Sequence, residues 1–283
     1  MTVLVTGARG RVAGALLALL HSAGIPARAA SKDPDLLTPP GGLPAVRCDL
    51  ADPSTFDAAL GQADSVFLYA EATHIDAFIQ RARAVGVKHV VLLSSSAVLA
   101  PDAAEHPIAG PHLAVERALE AAAARGDFEA TLLRPGVFAT NALQWAGPLR
   151  DGRPVELPYP HSYGDPIHEL DIAESALAVL TEPRQRGTAH LLTGPESLDF
   201  TEQLAVIAEV TGRPAPYTAV TPARWKASTS GYLPDALAGS LLAYWACHDA
   251  IPTPLSHTVE KLTGHPARTF AAWVADHANA FRD

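Results

Sequence analysis

The sequence predicts an α/β protein: a doubly wound parallel sheet with helices on both faces, followed by a smaller, mainly helical C-terminal cap. Three observations predict it. Short apolar, β-branched runs alternate with helix-like stretches through the first half, the pattern of parallel strands joined by crossover helices. A glycine-rich segment separates the first strand from the first helix. Beyond about Pro195 helical patterns dominate.

Val3 to Val5 opens the chain as a strand. Residues 12–21 form a helix closed near Gly24. Residues 25–30 and 45–47 read as the second and third strands, with a Pro/Gly-rich surface loop over 33–44 between them. A short helix over 53–60 leads to a strand over 65–69, a helix over 75–85 closed by Gly86, and a strand over 88–93. A helix over 112–125 stops at Gly126, and residues 130–133 make the sixth strand. The alternation fails after Arg134, and residues 148–166 are rich in Pro, Gly and Tyr and read as an irregular excursion. A helix over 171–180, with Asp171 and Glu174 spaced as a capping box, and a strand over 190–193 return the chain to the sheet. Helices are expected over 201–211, 234–246, 258–262 and 269–281. Two parts follow: residues 1–140 with 167–194, and residues 141–166 with 195–283.

At 283 residues with 48% apolar side chains the chain can build a sizeable core, and 18% charged residues argue against disorder. A net charge of −9 disfavours a general nucleic-acid binder or a membrane-surface protein, either of which needs a basic face, while leaving room for a local basic patch that suits an anionic cofactor. No apolar run approaches the ~20 residues that span a bilayer. The segment Met1-Thr2-Val3-Leu4-Val5 has no basic region or cleavage site, so no signal peptide is expected. The two cysteines, Cys48 and Cys247, lie far apart and fit a reduced, cytoplasmic setting. The twelve histidines show no ligand spacing on a helix, and no metal site is expected.

Thr6-Gly7-Ala8-Arg9-Gly10-Arg11-Val12-Ala13-Gly14 follows a strand and opens a helix. In that context the first glycine permits a tight turn and the second lets the backbone approach a pyrophosphate. A third small residue, Ala13 or Gly14, lets helix and strand pack closely. The phosphate then rests on free N–H groups at the positive end of the helix. The second strand ends Arg28-Ala29-Ala30-Ser31-Lys32. Lys32 stands where an NAD site places an acid for the ribose 2′-hydroxyl, with Ser31 beside it and Arg9 and Arg11 nearby. These cations favour a 2′-phosphate, hence NADP(H) over NAD(H), although Asp33 follows at once and opposes them.

With these residues in view, the chain resembles the NmrA-like members of the atypical short-chain dehydrogenase/reductase superfamily. The resemblance is carried by Thr6-Gly7-Ala8-Arg9-Gly10, residues 28–34, Cys48-Asp49-Leu50-Ala51-Asp52-Pro53, Ser65-Val66-Phe67-Leu68 and Val87-Lys88-His89-Val90-Val91 with Ser94-Ser95-Ser96. It continues through Leu133-Arg134-Pro135-Gly136-Val137-Phe138 with Asn141, Leu170-Asp171-Ile172-Ala173, Leu192-Thr193-Gly194-Pro195-Glu196 and Thr211-Gly212-Arg213-Pro214. Within that family Ala13 is most like the ergot-alkaloid-type reductases. The resemblance implies a Rossmann domain, NADP(H) binding and a substrate cleft roofed by the C-terminal segments. It further implies Asp49 and Leu50 along the adenine, and residues 70–72 and 94–96 on the nicotinamide side. The candidate cofactor set is Thr6, Gly7, Arg9, Gly10, Arg11, Val12, Ser31, Lys32, Asp49, Leu50, Tyr69, Ala70, Glu71, Ser94 and Ser95.

Catalysis is less determined. Short-chain dehydrogenases carry a Tyr-x-x-x-Lys pair on the helix after the fifth strand; here His112 and Glu116 hold that spacing. His112 is a candidate proton donor, with Glu116 orienting its ring or meeting the nicotinamide ribose. The alternative is a solvated helix pair. Ser94 to Ser96 are candidate ligands or simply a polar strand exit. In the 159–168 stretch Tyr163, His161 and His168 are candidate substrate contacts or packing residues. The reading is an NAD(P)H-dependent reductase of a small organic acceptor of quinone, enone or imine type, because the cofactor supplies the hydride. The alternative is a non-catalytic, redox-sensing regulator acting through a protein partner, and a weaker one a non-redox isomerase or cyclase. A monomer and a homodimer are both compatible with the sequence.

Overall fold

A computed structural model describes residues 1–282. The chain divides into two compact units. The first comprises Met1–Pro135, Glu169–Leu192 and Thr258–Gly264; the second comprises Gly136–His168, Thr193–His257 and His265 onward. Thr258–Gly264, which the sequence placed in the cap, groups with the first unit because Val259 and Leu262 bury against the Glu169–Thr181 helix and the Ala189–Leu192 strand.

The first unit is a seven-stranded parallel sheet. Its strands are β1 (Val3–Val5), β2 (Ala27–Ser31), β3 (Ala45–Arg47), β4 (Ser65–Tyr69), β5 (His89–Leu93), β6 (Glu129–Pro135) and finally Ala189–Leu192. The order β3-β2-β1-β4-β5-β6-Ala189–Leu192 reverses at β1, the topological switch point. Registers run Val5 beside Ala29 on one side and Phe67 on the other. β4 and β5 are apolar almost throughout because both sheet faces are covered. Leu4, Ala30, Val66, Leu68, Val90, Leu92 and Leu132 join one core with α2 (Phe56–Leu60), α3 (Ile75–Val85) and α4 (Ala109–Ala124). There Phe56 and Phe78 meet edge to face at 5.3 Å. The other face is covered by α1 (Arg11–Ser22) and the Glu169–Thr181 helix, which pack on each other. α1 buries Val12, Ala13, Leu16, Leu17 and Leu20, a helical stripe.

Three local expectations change. α4 begins at Ala109, three residues before His112, because His106 Nδ1 accepts the N–H groups of Ile108 and Ala109 at 3.2 and 3.3 Å. Pro111 is tolerated there because first-turn N–H groups have no partner within the helix. Asp171 does not stand at the N-cap position: the helix starts at Glu169, so Asp171 lies within its first turn and is fully buried. A capping box is formed by Asp199 with Glu202, each carboxylate accepting the other's backbone N–H at 2.8 Å.

The second unit is mainly helical. Residues 148–166 are more regular than expected: Val155–Leu157 pairs in parallel with Tyr217–Ala219, and Tyr163–Gly164 pairs antiparallel with Leu198–Asp199. A helix over Pro222–Thr229, signalled by Thr221 at the N-cap and Pro222 behind it, was not read from the sequence. The expected C-terminal helix is two, Phe270–Asp276 and Asn279–Arg282. The core is aromatic: Trp145, Phe200, Trp225 and Trp245 meet in edge-to-face steps of 4.8–5.6 Å. Among the described residues no helix is long and apolar enough to cross a membrane.

In this unit the Asp165 carboxylate lies against Gly136, where an added Cβ would fall 2.0 Å from Oδ2, and its Oδ1 accepts the Val137 N–H at 2.9 Å. Burial pushes Asp165 up to about 6 despite that hydrogen bond. A carboxyl raised in the folded state stabilises the protein below its unfolded value of about 3.9 and loses that contribution as pH rises through its folded value. Asp165→Asn keeps an acceptor for Val137 and removes the charge. Chemical denaturation should show the variant more stable than wild type by about 1–3 kcal/mol at pH 8, with the difference disappearing near pH 4. A variant destabilised equally at both pH values would contradict this assignment.

Candidate functional site

The site grows from the end of β1. Thr6 N–H and the Thr6 hydroxyl both donate to the Phe67 carbonyl, at 2.9 and 3.1 Å, and Thr6 Oγ1 accepts the Tyr69 N–H at 2.9 Å. Ala8 N–H donates to Ala30 at 3.0 Å. The turn is thus tied to both neighbours of β1, and Thr6, 1% exposed, acts as a strut. Gly7 adopts φ +63°, and Gly10 N–H closes the turn onto Gly7 O at 2.8 Å. Gly10 is the N-cap of α1 and has no capping side chain; Gly14 N–H makes the first helical bond, back to Gly10. The N–H groups of Arg11 and Val12 precede it, where a phosphate is best placed.

The turn's glycines have an intramolecular reason as well. The Tyr69 ring lies over them: a Cβ on Gly7 would sit 2.6 Å from Tyr69 Cδ2, and one on Gly10 would sit 2.6 Å from Tyr69 Oη. Ala13, fully buried, is the close-packing position, whereas a Cβ at Gly14 would meet open space.

A cleft of about 340 Å³ opens beside the turn, lined by Gly7, Arg9, Ser31, Lys32, Cys48, Asp49, Leu50, Ala51, Tyr69, Ala70 and Glu71. Nine of the fifteen candidate cofactor residues are therefore gathered in one place, from four separate segments. The volume falls within the range of small-molecule sites and matches part of a dinucleotide. Its polar groups are already oriented. Asp49 Oδ1 accepts the Ala51 N–H at 3.0 Å. Glu71 Oε1 accepts from Thr73, which holds its carboxyl below the usual range. Lys32 is exposed, and Arg9 Nη1 lies 3.6 Å from Asp33 Oδ2. Cys48 and Ala51 were not singled out, although both sit in the quoted motif after β3.

The remaining candidates lie outside this cleft. Arg11 is exposed at the start of α1, and the Val12 side chain turns into the core. Ser94 is 3% exposed, with its Oγ unpartnered among the described residues, whereas Ser95 Oγ is used to accept the Ala97 N–H at 3.2 Å. Glu116 neither orients His112 through a hydrogen bond nor remains free for a ribose. Both its oxygens are held by Arg134, at 3.0 Å from Nε and 2.6 Å from Nη2, and it is 1% exposed. A buried carboxylate requires such a partner. His112 Nδ1 is buried and unpartnered among the described residues. Burial holds the imidazole below the ordinary histidine range, and the Glu116 charge opposes that shift.

In the second unit Tyr163 is half-buried, and the charge of Glu202, then burial, then Asp199 raise its phenol above the usual value. His161 Nδ1 pairs with Asp199 Oδ2 at 2.9 Å, which raises its pKa. His168 is buried, its ring 6.1 Å from that of His277.

A parallel sheet that reverses at β1, with a glycine turn and cleft at that reversal, defines a Rossmann-fold protein. The model of the NmrA-like family matches residues 1–254, and the chain belongs to this family. It is 33% identical over 284 residues to a (4-alkanoyl-5-oxo-2,5-dihydrofuran-3-yl)methyl phosphate reductase of Streptomyces griseus, covering 99% of both chains. It is 31% identical over 290 residues to an NAD(P)H azoreductase of Xenophilus azovorans, again covering 99% of both. Its fold matches the crystal structure of an NADPH-dependent quinone oxidoreductase from Escherichia coli complexed with NADPH, at TM-score 0.80 and 24% identity, over 98% of this chain and 100% of that one.

The cleft gives a thiol test. Burial, and then the charge of Asp49, push Cys48 up to about 12, whereas Cys247 is exposed. Because the thiolate is the reactive form, an aromatic disulfide reagent at pH 8 should titrate one thiol rapidly in the folded protein and both after denaturation. Cys247→Ser should remove the fast phase; a fast phase that survives it would show Cys48 to be accessible.

Proposed function

We propose that the chain is an NADPH-dependent reductase that passes hydride to a small conjugated acceptor of the quinone, enone or imine class. The observation that carries the reading is the cleft at the reversal of the sheet, with Ser31, Lys32 and Arg9 among its lining residues. The names of the two relatives support the reaction class. In this reading the first unit holds the dinucleotide. The bound nicotinamide supplies the hydride. The adenosine half lies along Asp49 and Leu50, the 2′-phosphate meets Ser31, Lys32 and Arg9, and the diphosphate meets the N–H groups of Arg11 and Val12. Glu71 and Ser94 lie toward the nicotinamide end. His112 hands a proton to the reduced acceptor, because its Nδ1 is buried without a partner while the neighbouring Glu116 is taken by Arg134. The cytoplasm, where NADPH is regenerated, is the fitting compartment.

Purified protein should oxidise NADPH when offered quinones, enones and imines in turn. Protein that binds NADPH yet turns over none of them would point instead to the redox-sensing regulator. Lys32→Ala should weaken NADPH binding by about tenfold and NADH binding by about twofold or less, read by titration of nicotinamide fluorescence. Equal losses would remove Lys32 from the 2′-phosphate.

A depressed histidine is mostly neutral at pH 7, so a step that draws its proton from His112 should quicken as pH falls below about 6.5. His112→Gln should lower kcat about 10- to 100-fold, leave the KM for NADPH in place and abolish that acid limb. An unchanged pH profile in the variant would assign the proton to another group.

A further inference from the structure

We propose that residues 159–165 of the second unit form a pH-operated strap, clasped in mildly acidic solution and released as pH rises toward 8. The strap runs between two elements of its own unit. On one side His161 Nδ1 donates to Asp199 Oδ2 at 2.9 Å. Asp199 is also the N-cap of the Phe200–Thr211 helix, but its other oxygen does that work: Oδ1 accepts the Thr201 hydroxyl and the Glu202 N–H at 2.7 and 2.8 Å. The helix therefore stays capped whether or not His161 is held. On the other side the Tyr163 N–H donates to the His248 carbonyl at 3.1 Å, and the Ala250 N–H donates to the His161 carbonyl at 2.9 Å, just beyond the Asp235–Cys247 helix. At the far end of the strap the Asp165 carboxyl, 3% exposed, lies against Gly136 and Val137.

Both ends respond to pH in the same sense. The hydrogen bond to Asp199 raises the His161 pKa, and the charges of Asp199, Asp249 and Glu202 add to it. A histidine raised in the folded state contributes stability below its unfolded value of about 6.5 and loses it as pH climbs through the folded value. Asp165 is pushed up to about 6 by burial, against the Val137 hydrogen bond and the charge of His248, so it too holds best when protonated. Two phenols face these groups and stay neutral throughout. The charge of Glu202 raises Tyr163, and burial, then the Asp165 charge, raise Tyr244. A neutral His161 ring still has an N–H for Asp199, so rising pH removes the charge only. The His161 response is graded, because its side chain is 61% exposed. Two features favour release once the hold weakens. The pairing of Tyr163–Gly164 with Leu198–Asp199 is only two residues long. Ser162 Oγ is buried with no partner among the described residues, a penalty that water relieves when the strap opens.

The test is hydrogen exchange on the full-length protein between pH 5 and pH 8, read peptide by peptide and corrected for the intrinsic rate at each pH. Protection of the peptides carrying the Tyr163 and Ala250 amides should fall about tenfold across that range relative to β4. His161→Asn keeps a donor for Asp199 without the charge, and Asp165→Asn keeps an acceptor for Val137 without the charge. Each should remove part of the fall, and the double variant should hold protection constant within about twofold. Constant protection in the wild type, or the full fall in the double variant, would overturn the proposal. The wild-type series needs no substitution, so it decides even where a variant fails to fold.

Discussion

The first unit is organised by how β1 ends. The strand is three residues long, wholly buried and flanked by parallel neighbours on both sides. Connections leave those neighbours in opposite directions, so the carboxyl edge above β1 stays open. The turn that follows cannot wander, because residues 6 and 8 bond to Phe67 and Ala30. Those same bonds bring the ends of β2 and β4 to the turn, which is why Ser31, Lys32, Tyr69 and Glu71 face one cleft although they lie far apart in sequence. Thr6 is central: a hydroxyl can donate to one neighbour and accept from it two residues later, which valine at the same position could not do.

A second constraint shapes the chemistry beside β5 and β6. Glu116 is an acid with almost no access to water. Left unpaired it would cost several kcal/mol, roughly 3–5, and the planar guanidinium of Arg134 answers both its oxygens at once. That pairing has an effect on its helical neighbour. His112 keeps the electrostatic influence of Glu116 but makes no hydrogen bond to it, so burial prevails and the imidazole stays neutral near pH 7. A neutral imidazole is the form that burial without an ionic partner favours.

Much of the sheet was legible because buried parallel strands write themselves as apolar runs. Ser65–Tyr69 appears where the pattern placed it, as do the exposed edge strand Ala45–Arg47 and the helix Ile75–Val85, which Gly86 closes in the left-handed conformation. The cleft was legible in part, since the glycine turn and Lys32 are local signals. What the pattern could not show was tertiary partnership. Spacing of four suggested a His112–Glu116 pair, but the partner of Glu116 lies 18 residues away on the strand β6. The start of α4 depended on His106, a ring nitrogen no helix rule counts as a cap. Tyr69 over the glycines was hidden for the same reason: the residue that forbids side chains at Gly7 and Gly10 is some sixty positions downstream. In the second unit the core is built from scattered tryptophans instead of periodic aliphatics, so helix ends there were read less well.

An acidic chain that binds an anion must do so by local arrangement. With a net charge of −9 the protein as a whole repels a dinucleotide. The cleft itself is balanced, with Arg9 and Lys32 set against Asp49 and Glu71. The balance is not uniform. Asp49 and Glu71 have carboxylate oxygens turned onto the backbone N–H groups of Ala51 and Thr73, so their charge is partly answered before any ligand arrives. Lys32 has no such answer among the described residues. In the proposed binding mode the uncharged base lies along the answered acids, and the phosphates lie where unanswered N–H groups and an unpaired ammonium converge. Affinity then depends on short-range contacts that salt screens weakly when buried and strongly at the rim.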